Sequence, residues 1–334
     1  MSGAPGTING PLPWHLPEWR RLQSDIAAAR LHHALLLAGP AGTGKRLLAE
    51  RLSRSLLCDA ASPDGECGQC RGCRLMQAGT HPDCLRISPE EPGKQIRIAQ
   101  VREELVDFVV RTSSVAARKI VLIEPAEAMN IATANCLLKS LEEPSPDTFL
   151  VLVTDAPVRL LPTIRSRCRF VPLRPPGWAE GLEWLVAQRG EAGAGDLLGV
   201  ASGRPLEALR LDAGGALAQF DRAAVLVQRA AHKEAWVSTL AEDVSDIDIR
   251  ELLGWMQVYL ADLGRWLADQ SASRLPRAVP VHKALAASTS AHAVARFLQD
   301  TVKASRDAAS TTNPNRQLLL ESLLSGWSRA NRPG

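Results

Sequence analysis

The sequence has few aromatic residues and little net charge. Aromatic side chains make up 4% of the 334 residues, which argues against an extended base-stacking platform for single-stranded nucleic acid. Lys and Arg total 39 against 36 Asp and Glu, and a net charge of +3 does not by itself indicate a surface coated with nucleic acid. There is no apolar run of about 18 residues and no signal-peptide pattern. We therefore expect a cytoplasmic protein with no membrane partner.

The length and the hydrophobic content indicate more than one packed domain. A typical size of about 150 residues per domain suggests two or three domains, and 46% hydrophobic residues are ample for their cores. Residues 1–17 are rich in glycine and proline and are expected to form a loose arm leading to Trp19. The composition changes at residues 173–177, which indicates a linker.

The cysteines are concentrated in one segment. Four of the seven fall within sixteen positions: Cys58, Cys67, Cys70 and Cys73. Two overlapping C-x-x-C turns preceded by a fourth thiol are typical of tetrahedral zinc, and four thiolates leave no open position, so the expected zinc is structural. Disulfides are the alternative, which a cytoplasmic location disfavours. The remaining cysteines are expected to be ordinary buried thiols: Cys84, Cys136 and Cys168.

Residues 39–46 have the pattern of a nucleotide phosphate loop with one substitution. In G-x-x-x-x-G-K-[ST], glycine-rich backbone N–H groups and the lysine hold phosphate, and the final hydroxyl binds Mg²⁺. The phosphate-binding positions are present: Gly39, Gly42, Gly44 and Lys45. Arg46 replaces the hydroxyl, and a guanidinium has no acceptor atom with which to bind a metal. The alternative is a glycine turn unrelated to phosphate loops.

A second departure follows a predicted strand at residues 119–123. Nucleotide hydrolases of this type carry adjacent acids there, one serving the metal and one activating water. Here the pair is Glu124 and Pro125, and proline cannot polarise water. The alternative is a strand that simply ends in a proline turn. Two missing groups in one site predict a phosphate-loop fold without hydrolytic activity.

The remaining patterns predict a parallel α/β sheet followed by helices, because strands alternate with helices only in the first half. Strands are predicted at residues 34–38, 84–87, 119–123, 149–153 and 170–171. Helices are predicted at residues 45–57, 98–111, 126–143, 178–189, 206–211 and 246–269. Residues 190–195 are expected to form a loop, and the last of these helices has an apolar stripe at helical spacing.

A run of arginines occupies residues 163–169, Thr-Ile-Arg-Ser-Arg-Cys-Arg. Three interpretations are open from the spacing alone. The run is a solvated basic face, a patch in which Arg165 and Arg169 contact phosphates, or an arginine finger that neutralises charge in a neighbour's active site.

Together these motifs resemble the clamp-loader branch of the AAA+ proteins, over about residues 20–175. The resemblance rests on GPAGTGK at 39–45, the cysteine spacing, GTHPD at 79–83, IRIAQVREEL at 96–105, ANCLLKSLEEP at 134–144 and Ser166-Arg167-Cys168. The last third resembles the family only in its helical character and in NRQLLLESLL at 315–324.

The resemblance implies three domains. These are an α/β AAA+ domain with a parallel sheet at 1–173 and a zinc module at 58–73, a small helical lid at 174–212, and an all-α collar at 213–334. It also implies a hetero-pentamer with motor and delta subunits of the DNA polymerase III clamp loader, which places a sliding clamp on primer–template DNA. Arg167 is implied to be the finger acting in trans.

The departures from the family pattern imply a non-hydrolysing stator, in which ATP binding at the phosphate loop is left open. An active motor ATPase of the same complex is the alternative, disfavoured by Arg46 and Pro125. A small-molecule or nucleotide kinase is a third hypothesis, disfavoured by the cysteine module and the long helical region. The family's later arginine also lacks a clear counterpart, since position 206 is leucine and Arg204 lies nearby.

Overall fold

The computed structural model describes residues 11–91, 93–308 and 315–331. They form two compact units that divide between Pro176 and Gly177, inside the predicted linker. No helix in these described ranges is long and apolar enough to cross a membrane. The domain limits at residues 173 and 212 stay predictions.

The N-terminal unit is built on a five-stranded parallel sheet, in the order β2-β3-β4-β1-β5. The strands are β1 Ala34–Ala38, β2 Cys84–Ile87, β3 Lys119–Ile123, β4 Thr148–Thr154 and β5 Arg169–Pro172. All five predicted strands and the parallel sheet are confirmed. Every residue of β1 and β3 is buried, as expected for strands covered on both faces. Alternate residues of β1 enter different cores, Leu36 on one face and Leu35 on the other.

Six α-helices of the N-terminal unit accompany this sheet. They are α1 Leu16–Ala27, α2 Lys45–Leu56, α3 Arg71–Gln77, α4 Val106–Val110, α5 Ile131–Glu142 and α6 Pro162–Arg165. The prediction of one regular helix at 98–111 is wrong in part, because Gln100–Leu105 is a π-helical segment before α4. The prediction for 126–143 is wrong at its start, where a 3₁₀ turn, Ala126–Ala128, precedes α5. The Asn130 side chain caps α5 by accepting from the Thr133 N–H at 2.9 Å.

The prediction of a loose arm is wrong for residues 11–17, while residues 1–10 lie outside the described ranges. A 3₁₀ turn, Pro13–His15, leads directly into α1. Leu12 and Trp19 are only 2% and 3% exposed, so burial of apolar side chains orders this segment despite its prolines.

The C-terminal unit is helical, as predicted. Its helices are α7 Trp178–Arg189, α8 Ala194–Val200, α9 Pro205–Ala213, α10 Ala216–His232, α11 Val237–Glu242, α12 Ile249–Ala268, α13 Val279–Ala286, α14 Ala291–Ala308 and α15 Arg316–Ala330. The loop predicted at 190–195 is too long, because α8 already begins at Ala194, whose side chain is buried. One hydrophobic core runs from Leu185 to Trp327 and includes the predicted stripe of α12.

Asp83 ties the start of β2 to the segment that leads into β3. Its carboxylate accepts hydrogen bonds from the backbone N–H groups of Ser114 at 2.7 Å, Val115 at 2.7 Å and Ala116 at 2.8 Å. Burial acts to raise the pKa of Asp83, but the three donors outweigh it and the pKa is lowered. The carboxylate therefore serves as the common acceptor for three successive backbone N–H groups.

We expect Asp83→Ala to destabilise the N-terminal unit by about 3–5 kcal/mol, because three N–H groups lose their acceptor. Amide hydrogen exchange of β3 measures this loss for this unit alone. The control is Asp107→Ala, which removes an exposed ion pair with Arg111 and is expected to cost at most about 0.5 kcal/mol. Equal losses in the two variants would contradict the role given to Asp83.

Candidate functional site

The predicted phosphate loop, Glu124 and Asp155 meet at the carboxyl ends of the parallel strands. The loop follows β1, Glu124 follows β3 and Asp155 follows β4. Because the strands are parallel, with Ala38 paired to Thr154, these strand ends lie side by side. The structure therefore brings the predicted loop and Glu124 together and adds Asp155, which the sequence analysis did not assign to this site.

The loop backbone has a shape that requires glycine. Gly42 and Gly44 have φ angles of +78° and +88°, in the left-handed region. Gly39 is required by a close approach, since a Cβ atom there would lie 2.0 Å from the carbonyl oxygen of Leu173. Helix α2 begins directly afterwards at Lys45, so the positive end of its dipole lies at the loop. The geometry of an anion-binding loop is thus retained.

The lysine of the loop is bound within the protein. Lys45 Nζ donates a hydrogen bond to the carbonyl of Pro40 at 2.8 Å and forms an ion pair with the carboxylate of Asp155. Its side chain is 4% exposed. Thr43 Oγ1 donates to the same Pro40 carbonyl at 2.9 Å. The positive charge that a phosphate would neutralise already has an internal counter-charge.

Arg46 lies between two carboxylates. Its Nε is 3.2 Å from Glu50 Oε1 and 3.6 Å from Glu124 Oε2. Arg86 Nη1 approaches the same oxygen of Glu50 at 3.2 Å. Burial raises the pKa of Glu124, and the charge of Arg46 offsets part of that rise. A guanidinium therefore neutralises the strand-end acid on which a magnesium site of this type depends, and Pro125 supplies no second carboxylate.

Two residues that the sequence analysis missed hold the loop from outside. Trp14 Nε1 donates to the carbonyl of Thr43 at 2.9 Å, and His15 Nε2 contacts the same oxygen at 2.8 Å. A carbonyl only accepts, so His15 carries its proton on Nε2. The two residues form no motif, and only the tertiary structure brings them to the loop.

Burial favours the neutral imidazole of His15 in the folded protein. Burial lowers its pKa to about 4, the hydrogen bond to Thr43 opposes this change, and the charge of Lys45 adds to it. The folded pKa thus lies below the usual value of 6.5. Between these two values the unfolded chain binds more protons, so stability is lost as the pH falls from 6.5 toward 4.

We expect the N-terminal unit to lose about 2 kcal/mol of stability between pH 7 and pH 5 through His15. His15→Gln keeps an N–H donor for Thr43 but does not titrate, and is expected to remove this component. The measurement is hydrogen exchange of β1 amides, corrected for intrinsic exchange at each pH. His292→Gln, at an exposed position, is the control. An unchanged pH dependence in His15→Gln would refute the assignment.

The four predicted metal-ligating cysteines come together in one cluster. Their sulfurs all lie within 4.8 Å of one another. Cys67 and Cys73 have sulfurs 3.9 Å apart, and those of Cys58 and Cys70 are 3.8 Å apart. Four sulfurs placed tetrahedrally about 2.3 Å from a zinc ion are separated by about 3.8 Å. The cluster therefore has the dimensions of a site for a metal ion such as zinc.

The backbone around the cluster supports thiolates. The N–H groups of Cys67, Cys70 and Cys73 each donate to the sulfur of the preceding cysteine in the cluster, at 3.3, 3.4 and 3.3 Å. Backbone donors from Gln69 and Cys70 lower the pKa of Cys67 to about 6, whereas burial raises the pKa of Cys73. Gly72 permits the close approach of α3, since a Cβ there would lie 2.4 Å from the Leu57 carbonyl oxygen.

The other cysteines differ in burial. Cys168 is buried, as predicted. The prediction is wrong for Cys84 and Cys136, which are half-buried. Cys84 lies on β2, at the edge of the sheet, where fewer neighbours cover a side chain.

Arg167 lies at the amino ends of the strands, whereas the phosphate loop lies at their carboxyl ends. It follows α6 and precedes β5, whose first residue, Arg169, pairs with Leu35 near the start of β1. The loop begins after the last residue of β1, and five residues of parallel strand span about 16 Å. The structure thus does not bring Arg167 to the loop of its own chain.

The Arg167 guanidinium is partly exposed and held at three points. Nη1 donates to the carbonyl of Thr163 at 3.1 Å and to Ser166 Oγ at 3.4 Å. Nη2 lies 2.6 Å from Glu142 Oε1, at the end of α5. The side chain remains 36% exposed.

The neighbouring arginines have different surroundings. Arg165 is exposed, whereas the half-buried Arg169 pairs with Asp25 of α1 at 2.5 Å. Arg204 belongs to the C-terminal unit, where its Nε donates to the carbonyl of Ala201 at 2.7 Å. Arg165 and Arg169 therefore differ both in exposure and in the side chains that they contact.

Comparison with known proteins identifies the family. A family model described as "DNA polymerase III, delta subunit" matches residues 15–177, and "DNA polymerase III, delta subunit, C terminal" matches residues 221–329. DNA polymerase III subunit delta' of Pseudomonas aeruginosa is 40% identical over 328 residues, which is 96% of this chain and 98% of that protein. The Yersinia pestis subunit delta' is 31% identical over 333 residues, 96% of each chain.

A relative with a different subunit name matches a shorter part of the chain. DNA polymerase III subunit tau of Bacillus subtilis is 30% identical over 150 residues, which is 45% of this chain and 26% of that protein. The similarity to the Pseudomonas aeruginosa and Yersinia pestis delta' subunits, in contrast, extends over nearly the whole length of both chains. The protein therefore belongs to the family of DNA polymerase III delta' subunits.

Proposed function

We propose that this protein is a non-hydrolysing clamp-loader subunit that supplies Arg167 to the ATP site of a neighbouring subunit. The position of Arg167 carries the proposal. It is partly exposed and lies at the amino ends of the strands, while the phosphate loop lies at their carboxyl ends. An arginine in this position serves a nucleotide held by another chain.

The state of its own loop supports the absence of hydrolysis. Arg46 pairs with Glu50 and Glu124 where a hydrolase holds magnesium, and Pro125 replaces the group that activates water. Lys45 is neutralised by Asp155. Because its charges are paired within the protein, the loop keeps its conformation without a bound metal ion and does not hydrolyse ATP.

In the assembly that we propose, motor subunits hydrolyse ATP and this chain completes one of their sites. The guanidinium of Arg167 would neutralise the charge that develops on the transferred phosphoryl group, an effect of about 10³–10⁵ in rate at a single site. The delta subunit, the motor subunits and this chain would form the hetero-pentamer that opens the sliding clamp and places it on primer–template DNA. The C-terminal helices would supply the lid and the collar of the ring.

The test is ATP hydrolysis by the purified chain and by the reconstituted complex. We expect no hydrolysis by the chain alone. In the complex, Arg167→Ala is expected to lower clamp- and DNA-stimulated hydrolysis in part, since one of several sites loses its finger, and to lower clamp loading more steeply. Arg167→Lys is not expected to rescue, because an ammonium lacks the planar fork of a guanidinium.

Arg165→Ala is the matched control, at an exposed position two residues away. It is expected to leave hydrolysis in the absence of DNA unchanged. Wild-type clamp loading by Arg167→Ala would refute the finger. Hydrolysis by the isolated chain that disappears in Lys45→Ala would instead favour a motor ATPase, and phosphate transfer to a small acceptor would favour a kinase.

We also propose that the four-cysteine cluster binds one structural zinc ion. Its short sulfur–sulfur distances and its backbone N–H donors support this assignment. Zinc would hold the segment after α2 against the start of α3. With four thiolate ligands the ion has no position for substrate and takes no part in hydrolysis.

We expect about one zinc per molecule in protein purified without chelators. Cys70→Ser is expected to release the metal and to lower the stability of the N-terminal unit, because metal binding and folding of such a module are coupled. Elemental analysis and thermal unfolding measure the two effects. Cys136→Ser, at a half-buried thiol outside the cluster, is the control. Metal-free wild-type protein would overturn the assignment.

A further inference from the structure

The carboxylate of Glu142 holds the Arg167 guanidinium from a separate helix. Thr163 and Ser166, which bind Nη1, belong to the same short segment as Arg167 itself. Glu142 is the last residue of α5 and approaches Nη2 at 2.6 Å. It is the contact that ties the arginine to another element of the fold.

We infer that Glu142 is a positioning residue, which holds Arg167 ready to enter the ATP site of the neighbouring subunit; the inference rests on the proposed function. An arginine side chain has many rotamers, and a free one must be ordered each time it meets a phosphate. Contacts on Nη1 and Nη2 fix the plane of the guanidinium beforehand. Within the described residues Nε makes no hydrogen bond, so that edge stays available to an anion.

Glu142 is itself fixed to the sheet. His33 Nε2 lies 2.9 Å from the carbonyl of Leu141, the preceding residue, and donates to it because a carbonyl only accepts. His33 directly precedes β1. The last turn of α5 is thereby attached to the residue that precedes β1, so the backbone that carries Glu142 is held close to Arg167.

The pair is suited to positioning rather than to stabilising the fold. The side chains of Arg167 and Glu142 are 36% and 49% exposed, and ion pairs with this much access to water contribute little to stability. Removing the carboxylate is therefore expected to leave the chain folded. The adjacent Glu143 is also exposed and forms no ion pair among the described residues, which makes it a matched control.

The experiment measures kcat and KM of clamp- and DNA-stimulated ATP hydrolysis in the reconstituted complex. Glu142→Ala is expected to lower the Arg167-dependent part of kcat about 3- to 10-fold with KM unchanged, as for a loss of orientation. Glu142→Gln retains an acceptor oxygen and is expected to lose less. Glu143→Ala is expected to match the wild type. The double variant Glu142→Ala/Arg167→Ala is expected to equal Arg167→Ala.

The outcomes separate the inference from the function on which it rests. If Arg167→Ala has no effect, the proposed function fails, and the inference fails with it. If Arg167→Ala lowers kcat while both Glu142 variants match Glu143→Ala, the finger stands and the positioning role is overturned. A double variant slower than Arg167→Ala also overturns it, because Glu142 would then act independently of the arginine. Thermal unfolding of each variant identifies any that fails to fold, and Glu142→Gln then decides.

Discussion

The parallel alignment of the five strands determines which residues of the N-terminal unit act together. Every strand runs in the same direction, so the ends of β1, β3 and β4 meet at one edge and the start of β5 lies at the other. The phosphate loop, Glu124 and Asp155 lie at the carboxyl ends of the strands, and Arg167 lies at the amino ends. This arrangement keeps the phosphate loop apart from Arg167, the arginine that we propose acts in another subunit.

The phosphate loop keeps its conformation because its charges are compensated internally. Lys45 is satisfied by the Pro40 carbonyl and Asp155, and Arg46 by Glu50 and Glu124. The buried Lys45 ammonium without a partner would destabilise the fold by several kcal/mol, on the order of the total stability of a domain. The Arg46 side chain is mostly exposed, so its ion pairs contribute far less. Arg46 and the carboxylates of Glu50 and Glu124 thus compensate one another's charge at the place where the phosphate-loop pattern has a hydroxyl.

Helix α2 connects this loop to the cysteine cluster. It begins at Lys45, directly after the loop, and ends at Leu56, two residues before Cys58. A helix of 12 residues is about 18 Å long and nearly rigid. A metal ion at the cluster would hold the carboxyl end of α2, while Trp14 and His15 hold Thr43 at the other end. The proposed metal site and the contacts of Trp14 and His15 would thus act at opposite ends of α2.

The sequence by itself determined the five strands, the grouping of the four cysteines, the departures of the loop from the phosphate-loop pattern and the family, because these features depend on local hydrophobic patterns and fixed spacings. It did not reveal the π-helical segment before α4, the ordered residues 11–17 or the early start of α8. Contacts of Thr43 with Trp14 and His15, and of Arg167 with Glu142, join residues far apart in the chain. Only the tertiary structure decided these, because strand order and helix packing set which distant side chains meet.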